Sequence, residues 1–260
     1  MCKYVDKLMA AHPPPEAAGP HAIPTSPAGD ELFKIAEDAT KLAETPRKVF
    51  HTAVAKCLYL ARRRVDVATT VAFLCTRVQS PTSEDQSKLN RLLAYLNASR
   101  NWVVRLDGSS SDQVIAYVDA SYGVHMSRKS HTGVIISIGK GPVFTSSTKQ
   151  KLVTKSSTEA ELVGLSDALS QILWSRHFME AQGYTQKPAH IYQDNQSTIR
   201  LATYGRSTQS RMRHVDIRYF FIKDRMDTGD CEIEYIPTKD MVADIFTKPL
   251  QGDMLSLIHI

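Results

Sequence analysis

At about residue 112 the apolar pattern of this chain changes period, and that change limits the folds open to it. From Gln113 to Ala120 (QVIAYVDA), Thr132 to Gly139 (TGVIISIG) and Pro142 to Ser147 (PVFTSS), short β-branched runs are bounded by Gly or Pro. They read as three consecutive strands, with Gly139-Lys140-Gly141 as a hairpin turn. A long helical pattern follows from Ser157 to about Gln182, with Leu162, Leu165, Leu169 and Ile172 on one face, and Gly183 ends it. Beyond it the pattern predicts a strand (Ala189 to Gln193), a helix (Gln196 to Thr203) and a further helix (about Gln209 to Met226). A strand (Cys231 to Ile236) and a last helix from about Lys239 complete it. Hairpin-linked strands followed by α-β-α-β-α predict an α/β unit, a mixed five-stranded sheet flanked by helices, over residues 112–250.

Upstream the spacing is helical. Six of the chain's 12 prolines lie between Pro13 and Pro27, so residues 1–29 read as an irregular Pro-rich tail. Helical runs are expected from Gly29-Asp30 to Glu44, from Pro46 to Ala61 and from Val65 to Val78. A fourth opens on the cap signal Pro81-Thr82-Ser83. Residues 30–111 thus form a small helical module, and residues 251–260 a short apolar tail read as truncated or artefactual.

Composition removes several classes of function. With 42% hydrophobic and 23% charged residues the chain is globular rather than disordered or fibrous. The best apolar run, Val67 to Cys75, is too short for a membrane span, and no secretory h-region follows Met1. Cys2, Cys57, Cys75 and Cys231 form no CxxC pair, which points to a reducing, intracellular setting without a zinc ribbon. The net charge of +5 permits a nucleic-acid partner without requiring one. The clusters Arg62-Arg63-Arg64, Lys149-Lys151-Lys155 and Arg206-Arg211-Arg213-Arg218 carry more information than the total. Taken alone, such a run is a solvated face.

Three acids fall where an α/β sheet gathers its ligands. Asp119 ends the first strand, Asp194 ends the fourth, and Asp244 follows the fifth. Glu161 lies in the first turns of the long helix. Such carboxylates converging without a cation would raise one another's pKa values. Oxygen-only ligation suits Mg²⁺ or Mn²⁺. Two such ions, about 3.5–4 Å apart, can clamp the attacking and leaving oxygens of a phosphodiester.

The runs YVDASY, KSHTGVIISIGKGPVFTSSTKQKLVTKSSTEAEL, IYQDNQSTI, RHVDIRYFFIKDRM and YIPTKDMVADIFTKPL occur in that order over residues 113–250. Together they resemble the ribonuclease H domain of copia-type LTR retrotransposon Pol polyproteins. The segment KVFHTAVAKCLYLARRRVDVATTVAFLCTRVQSPTSEDQSKLNRLLAYL resembles the helical connection after the polymerase palm, and residues 3–45 resemble the reverse transcriptase tail. The resemblance implies a ribonuclease H-like fold and metal-dependent endonucleolytic cleavage of the RNA strand of RNA–DNA hybrids during reverse transcription. It makes Asp119, Glu161, Asp194 and Asp244 the catalytic acids and the ligands of two Mg²⁺ or Mn²⁺ ions. Of the two glutamates in STEAEL, the family's ligand directly precedes Leu, which selects Glu161 over Glu159. Ser157 and Thr158 match positions that contact the nucleic-acid backbone, and a helix N-terminus suits phosphate; N-capping is their other reading. Asn195 shapes the site or caps a helix. Lys149, Lys151, Arg211 and Arg213 are expected to meet the backbone of the hybrid. The expected partners are the hybrid and the polymerase part of the same polyprotein, with no membrane. The expected setting is intracellular, cytoplasmic in a virus-like particle or nuclear.

The sequence departs from the family in three places. Between Tyr235 and Asp244 there is no His such as cellular ribonucleases H carry before the last acid, and His214 substitutes only if the fold brings it near. YVDASY has Ser121 where copia-like chains have an Asp. No polymerase active site is present, since Tyr4-Val5-Asp6-Lys7 has one Asp and a helical continuation. The competing reading is a decayed fragment that folds and binds hybrid without cutting. A DDE nuclease fits less well, because its last Glu follows the second Asp, whereas the TEAEL helix precedes Asp194.

Overall fold

The computed structural model describes residues 2–14, 24–36, 38–108, 112–204 and 213–249, the side chains of 213–216 excepted. The chain divides into two compact units, one of Met1–Val104 with Lys248–Ile260 and one of Arg105–Thr247.

The first unit is helical: α1 (Cys2–Ala11), α2 (Glu44–Ala61), a 3-10 turn (Val65–Val67) leading into α3 (Ala68–Cys75), and α4 (Ser83–Ala98). The tail expected to be irregular therefore begins with a helix, which buries Val5 and Leu8. The helix expected from Gly29 to Glu44 is absent, and only a turn forms at 30–33. Backbone groups of that segment pair with the entry to α4 instead: Leu42 N–H donates to Pro81, Ser83 N–H donates to Thr40, and Ala36 N–H donates to Glu84. Pro46 sits in the first turn of α2, where its missing donor costs nothing. At the start of α4, Thr82 and Asp85 form a reciprocal capping box, and Arg77 adds an ion pair at 3.1 Å.

Arg64 does not share the solvated face that Arg62-Arg63-Arg64 suggests. It is 3% exposed and grips Asp66 with two bonds of 2.7 and 3.0 Å. It also donates to the Ser99 carbonyl and hydroxyl, while Tyr95 donates its hydroxyl to Asp66 at 2.8 Å. This network ties the α2–α3 junction to the end of α4. Arg64→Ala should cost about 3–5 kcal/mol, because Asp66 is left buried without Arg64 as its ion-pair partner. Urea unfolding of the full chain, followed by circular dichroism, measures that loss.

The second unit is built on β1 (Val114–Ser121), β2 (His131–Ile138), β3 (Pro142–Lys149), β4 (Ala189–Gln193) and β5 (Cys231–Tyr235), in the order β3-β2-β1-β4-β5. β1 pairs antiparallel with β2 and parallel with β4, β2 antiparallel with β3, and β4 parallel with β5. The helices are α5 (Ser157–Ala181), α6 (Gln196–Tyr204) and α7 (Arg213–Asp227). Period-2 alternation turns Val114, Ala116 and Val118 inward. There they pack with Leu162, Leu165, Leu169 and Ile172 of α5 and with Tyr219 and Ile222 of α7. This mixed five-stranded sheet with flanking helices is the ribonuclease H-like architecture that the resemblance implies.

The last helix expected from Lys239 is two 3-10 turns, Thr238–Asp240 and Val242–Phe246. The second lies on β1 and β2, and Gly133 makes room for it. A Cβ at Gly133 would come within 2.7 Å of the Phe246 Cβ and 2.8 Å of the Ala243 carbonyl oxygen. Met241 between the two turns is extended (φ −75°, ψ 93°) and interrupts a continuous helix, and the close approach leaves Phe246 and Ala243 fully buried. Gly133→Ala should lower stability by about 1–3 kcal/mol through overpacking, read as a fall in thermal unfolding temperature.

Candidate active site

Strand register brings the first and third acids together. β1 and β4 run parallel, with Tyr117 opposite Tyr192. Asp119 lies two residues beyond Tyr117 in β1, and Asp194 lies two beyond Tyr192, just after β4 ends, so the two acids come close. Glu161 arrives from above on α5. Its helix approaches closely because Gly164 presents no side chain, and a Cβ there would sit 3.1 Å from Thr132 Cγ2. Ligand oxygens of Asp119, Glu161 and Asp194 all lie within 4.8 Å of one another, with Asp119 and Glu161 buried.

The electrostatic consequence falls on Glu161. Its pKa is raised well above the ordinary 4.5, first by burial and then by the charges of Asp119 and Asp194. The Ala120 N–H and the Gln193 side-chain amide oppose the shift by bonding its carboxylate. A hydroxyl donates to each of the other two acids. Thr247 donates to Asp119, and Thr238 donates to Asp194 at 2.8 Å. These bonds help to hold the carboxylates in place. A compact set of hard oxygens, one of them reluctant to ionise without a cation beside it, suits a divalent metal.

Asp244 is buried in the Val242–Phe246 turn. It is not in the set whose oxygens lie within 4.8 Å of one another. Glu159 has a different task from Glu161: its carboxylate accepts from Lys155 N–H at 2.6 Å, while the N-cap Ser156 accepts from Glu159 N–H. That closes the first turn of α5 and leaves Ser157 exposed and Thr158 half-buried. Asn195 caps α6 through Thr198 N–H at 3.1 Å. Lys149 closes β3 and Lys151 is exposed. Arg211 lies outside the described residues, as do the side chains of Arg213 and His214.

Three supporting residues carry no sequence signal of their role. Gln193 is fully buried, donates to Glu161 and to the Val118 carbonyl, and accepts from Asn195 N–H. Thr247 joins Asp119 to the segment that carries Asp244. Ser121 donates to the Thr247 carbonyl at 3.2 Å, a bond that an ionised Asp at that position could not make, since a carboxylate only accepts. The one available hint is position: each lies within three residues of an expected acid.

No protein-family model matches the chain. Among curated proteins, it is 32% identical over 213 residues to the retrovirus-related Pol polyprotein from transposon RE1 of Arabidopsis thaliana, covering 81% of this chain and 14% of that protein. It is 28% identical over 224 residues to that from transposon TNT 1-94 of Nicotiana tabacum, covering 85% and 16%. The chain therefore spans only 14–16% of the length of these relatives. Solved structures similar to it include LC11-RNase H1 isolated from compost (TM-score 0.40, 16% identity, 52% of this chain and 92% of that one). Another is the foamy viral protease-reverse transcriptase in complex with RNA/DNA hybrid (TM-score 0.44, 12% identity, 80% and 26%).

The raised pKa of Glu161 gives a signed prediction. The folded chain holds this proton more tightly than the unfolded one, so the stabilisation is present below about pH 4.5 and is lost as pH rises through the folded value. In EDTA, Glu161→Gln should therefore be more stable than the parent at neutral pH. Between the unfolded and folded pKa values the gap should widen by at most about 1.4 kcal/mol for each tenfold fall in proton concentration. Thermal unfolding across pH 4–8 measures it, and added Mg²⁺ should narrow it.

Proposed function

Because this chain is homologous to part of the Pol polyproteins of copia-type retrotransposons, we propose that it is a retrotransposon ribonuclease H that hydrolyses the RNA strand of RNA–DNA hybrids. The single observation that carries this reading is the meeting of Asp119, Glu161 and Asp194 at one end of the sheet. Asp119, Glu161, Asp194 and Asp244 are proposed to hold two Mg²⁺ ions, with Mn²⁺ as substitute. When bound, such ions polarise the phosphate, lower the pKa of water and stabilise the leaving oxygen.

The chain's own groups do the rest. Thr247 and Thr238 orient Asp119 and Asp194, and Gln193 orients Glu161, so the acids are arranged before substrate arrives. Ser157 and Thr158, in the first turn of α5, offer hydroxyls and backbone N–H groups to a phosphate of the hybrid. Lys149, Lys151, Arg211 and Arg213 supply sequence-independent attraction to the backbone, so binding should weaken with salt. Strand choice rests on duplex shape and the RNA 2′-hydroxyl rather than on base sequence. In the parent polyprotein, the polymerase part would deliver the hybrid.

With Mg²⁺ or Mn²⁺ the chain should cut the RNA of an end-labelled hybrid, spare the DNA and fall silent in EDTA. Asp119→Asn should reduce the rate at least about 10²-fold. A parent chain that binds the hybrid without cutting it would replace this reading with that of a decayed, binding-only fragment.

A further inference from the structure

A hydrogen-bonded file of three side chains runs from the β1–β2 loop to the segment that carries Asp244. His125 Nε2 lies 3.0 Å from His131 Nδ1, and His131 Nε2 lies 2.8 Å from Ser147 Oγ. Ser147 Oγ lies 2.7 Å from the carbonyl oxygen of Phe246. That carbonyl can only accept, so the Ser147 hydroxyl gives it its one proton. Ser147 must then accept from His131 Nε2–H; in a neutral His131, Nδ1 is bare and accepts from His125 Nε2–H. Neutral imidazoles in a single tautomer thus make every bond in the file. Burial favours that state, helped by Lys149 nearby, and holds the His125 pKa down to about 4 and that of His131 to about 3.

The far end of the file is pinned from several sides. Phe246 O accepts from Ser147 of β3, and Thr247 O accepts from Ser121 of β1. Gly133 of β2 admits the segment between them. The Thr247 hydroxyl donates to Asp119 and lies 3.2 Å from the Asp244 carbonyl. At the near end, the β1–β2 loop is closed by Arg128 N–H to the His125 carbonyl at 2.7 Å and by Gly123 N–H to Ser130 at 3.1 Å.

We propose that His125, His131 and Ser147 are positioning residues of the hydrolytic site, a fixed file that sets the Phe246–Thr247 peptide and, through it, the carboxylate of Asp119 and the turn bearing Asp244. The inference rests on the ribonuclease H reading for its purpose, but its geometry is testable without catalysis. Ser147→Ala deletes the bond to Phe246, Ser147→Thr keeps the hydroxyl, and His131→Gln keeps a donor toward Ser147.

Amide hydrogen exchange of the full chain in EDTA should quicken over residues 242–247 by roughly 5–10-fold in Ser147→Ala, the scale of one lost hydrogen bond. It should stay near the parent rate in Ser147→Thr and be intermediate in His131→Gln. In hybrid cleavage, Ser147→Ala should raise the Mn²⁺ concentration for half-maximal rate several-fold and leave the hybrid KM unchanged. Unchanged exchange over 242–247 in Ser147→Ala would overturn the proposal. So would faster exchange spread evenly over the whole sheet in both Ser147→Ala and His131→Gln, or a rise in KM alone. A parent chain that leaves hybrid uncut would sink the ribonuclease reading by itself, and the exchange comparison would still decide whether the file holds the segment.

Discussion

Three carboxylates brought together, two of them buried, are the constraint on which the second unit depends. Asp119, Glu161 and Asp194 come from β1, from α5 and from just after β4, and their charges repel one another. Packing elsewhere in the unit offsets that repulsion. Val114, Ala116 and Val118 of β1 lock against α5, Gly164 sets how near that helix comes, and Gly133 seats the closing turn. The cost of the site appears in the raised pKa of Glu161, first through its burial and then through the charges of Asp119 and Asp194. It is the kind of local conflict that a fold tolerates where chemistry is done.

Neutral side chains hydrogen-bond to the acids and to the segment beside them. Thr247, Thr238 and Gln193 hold carboxylates, and Ser121 and Ser147 hold the peptide that carries Thr247. The helical unit uses an ion pair instead. There Arg64 and Asp66 are buried as a complete pair with Tyr95 and Ser99 around them, so charge is neutralised in place and serves to join helices.

Much of the fold is legible in the sequence because its patterns are local. The alternation of QVIAYVDA and the 3.6-residue spacing of Leu162, Leu165 and Leu169 announce their elements without reference to anything distant. The failures are equally physical. The segment from Gly29 to Glu44 has helical composition, yet its backbone bonds to the entry of α4, a tertiary choice that no window of sequence contains. The stretch after Lys239 reads as a helix, yet Met241 is extended and splits it into two 3-10 turns, the second packed closely on β2. Arg64 reads with its two neighbours as surface charge, and only the fold separates them.

The expectation of Glu161 rather than Glu159 rests on the family resemblance; by itself the sequence determined the five strands and most of the helices. It could do so because side-chain period and residue type are properties of short stretches. Only the tertiary structure decided which neutral side chains hold the acids, why Ser121 is suited to its position, and that His125, His131 and Ser147 form one file ending at Phe246. Those partnerships join residues up to 128 positions apart, as Thr247 and Asp119 are. A hydrogen bond exists only where packing brings donor and acceptor within about 3 Å, so no reading of the residues one after another contains it.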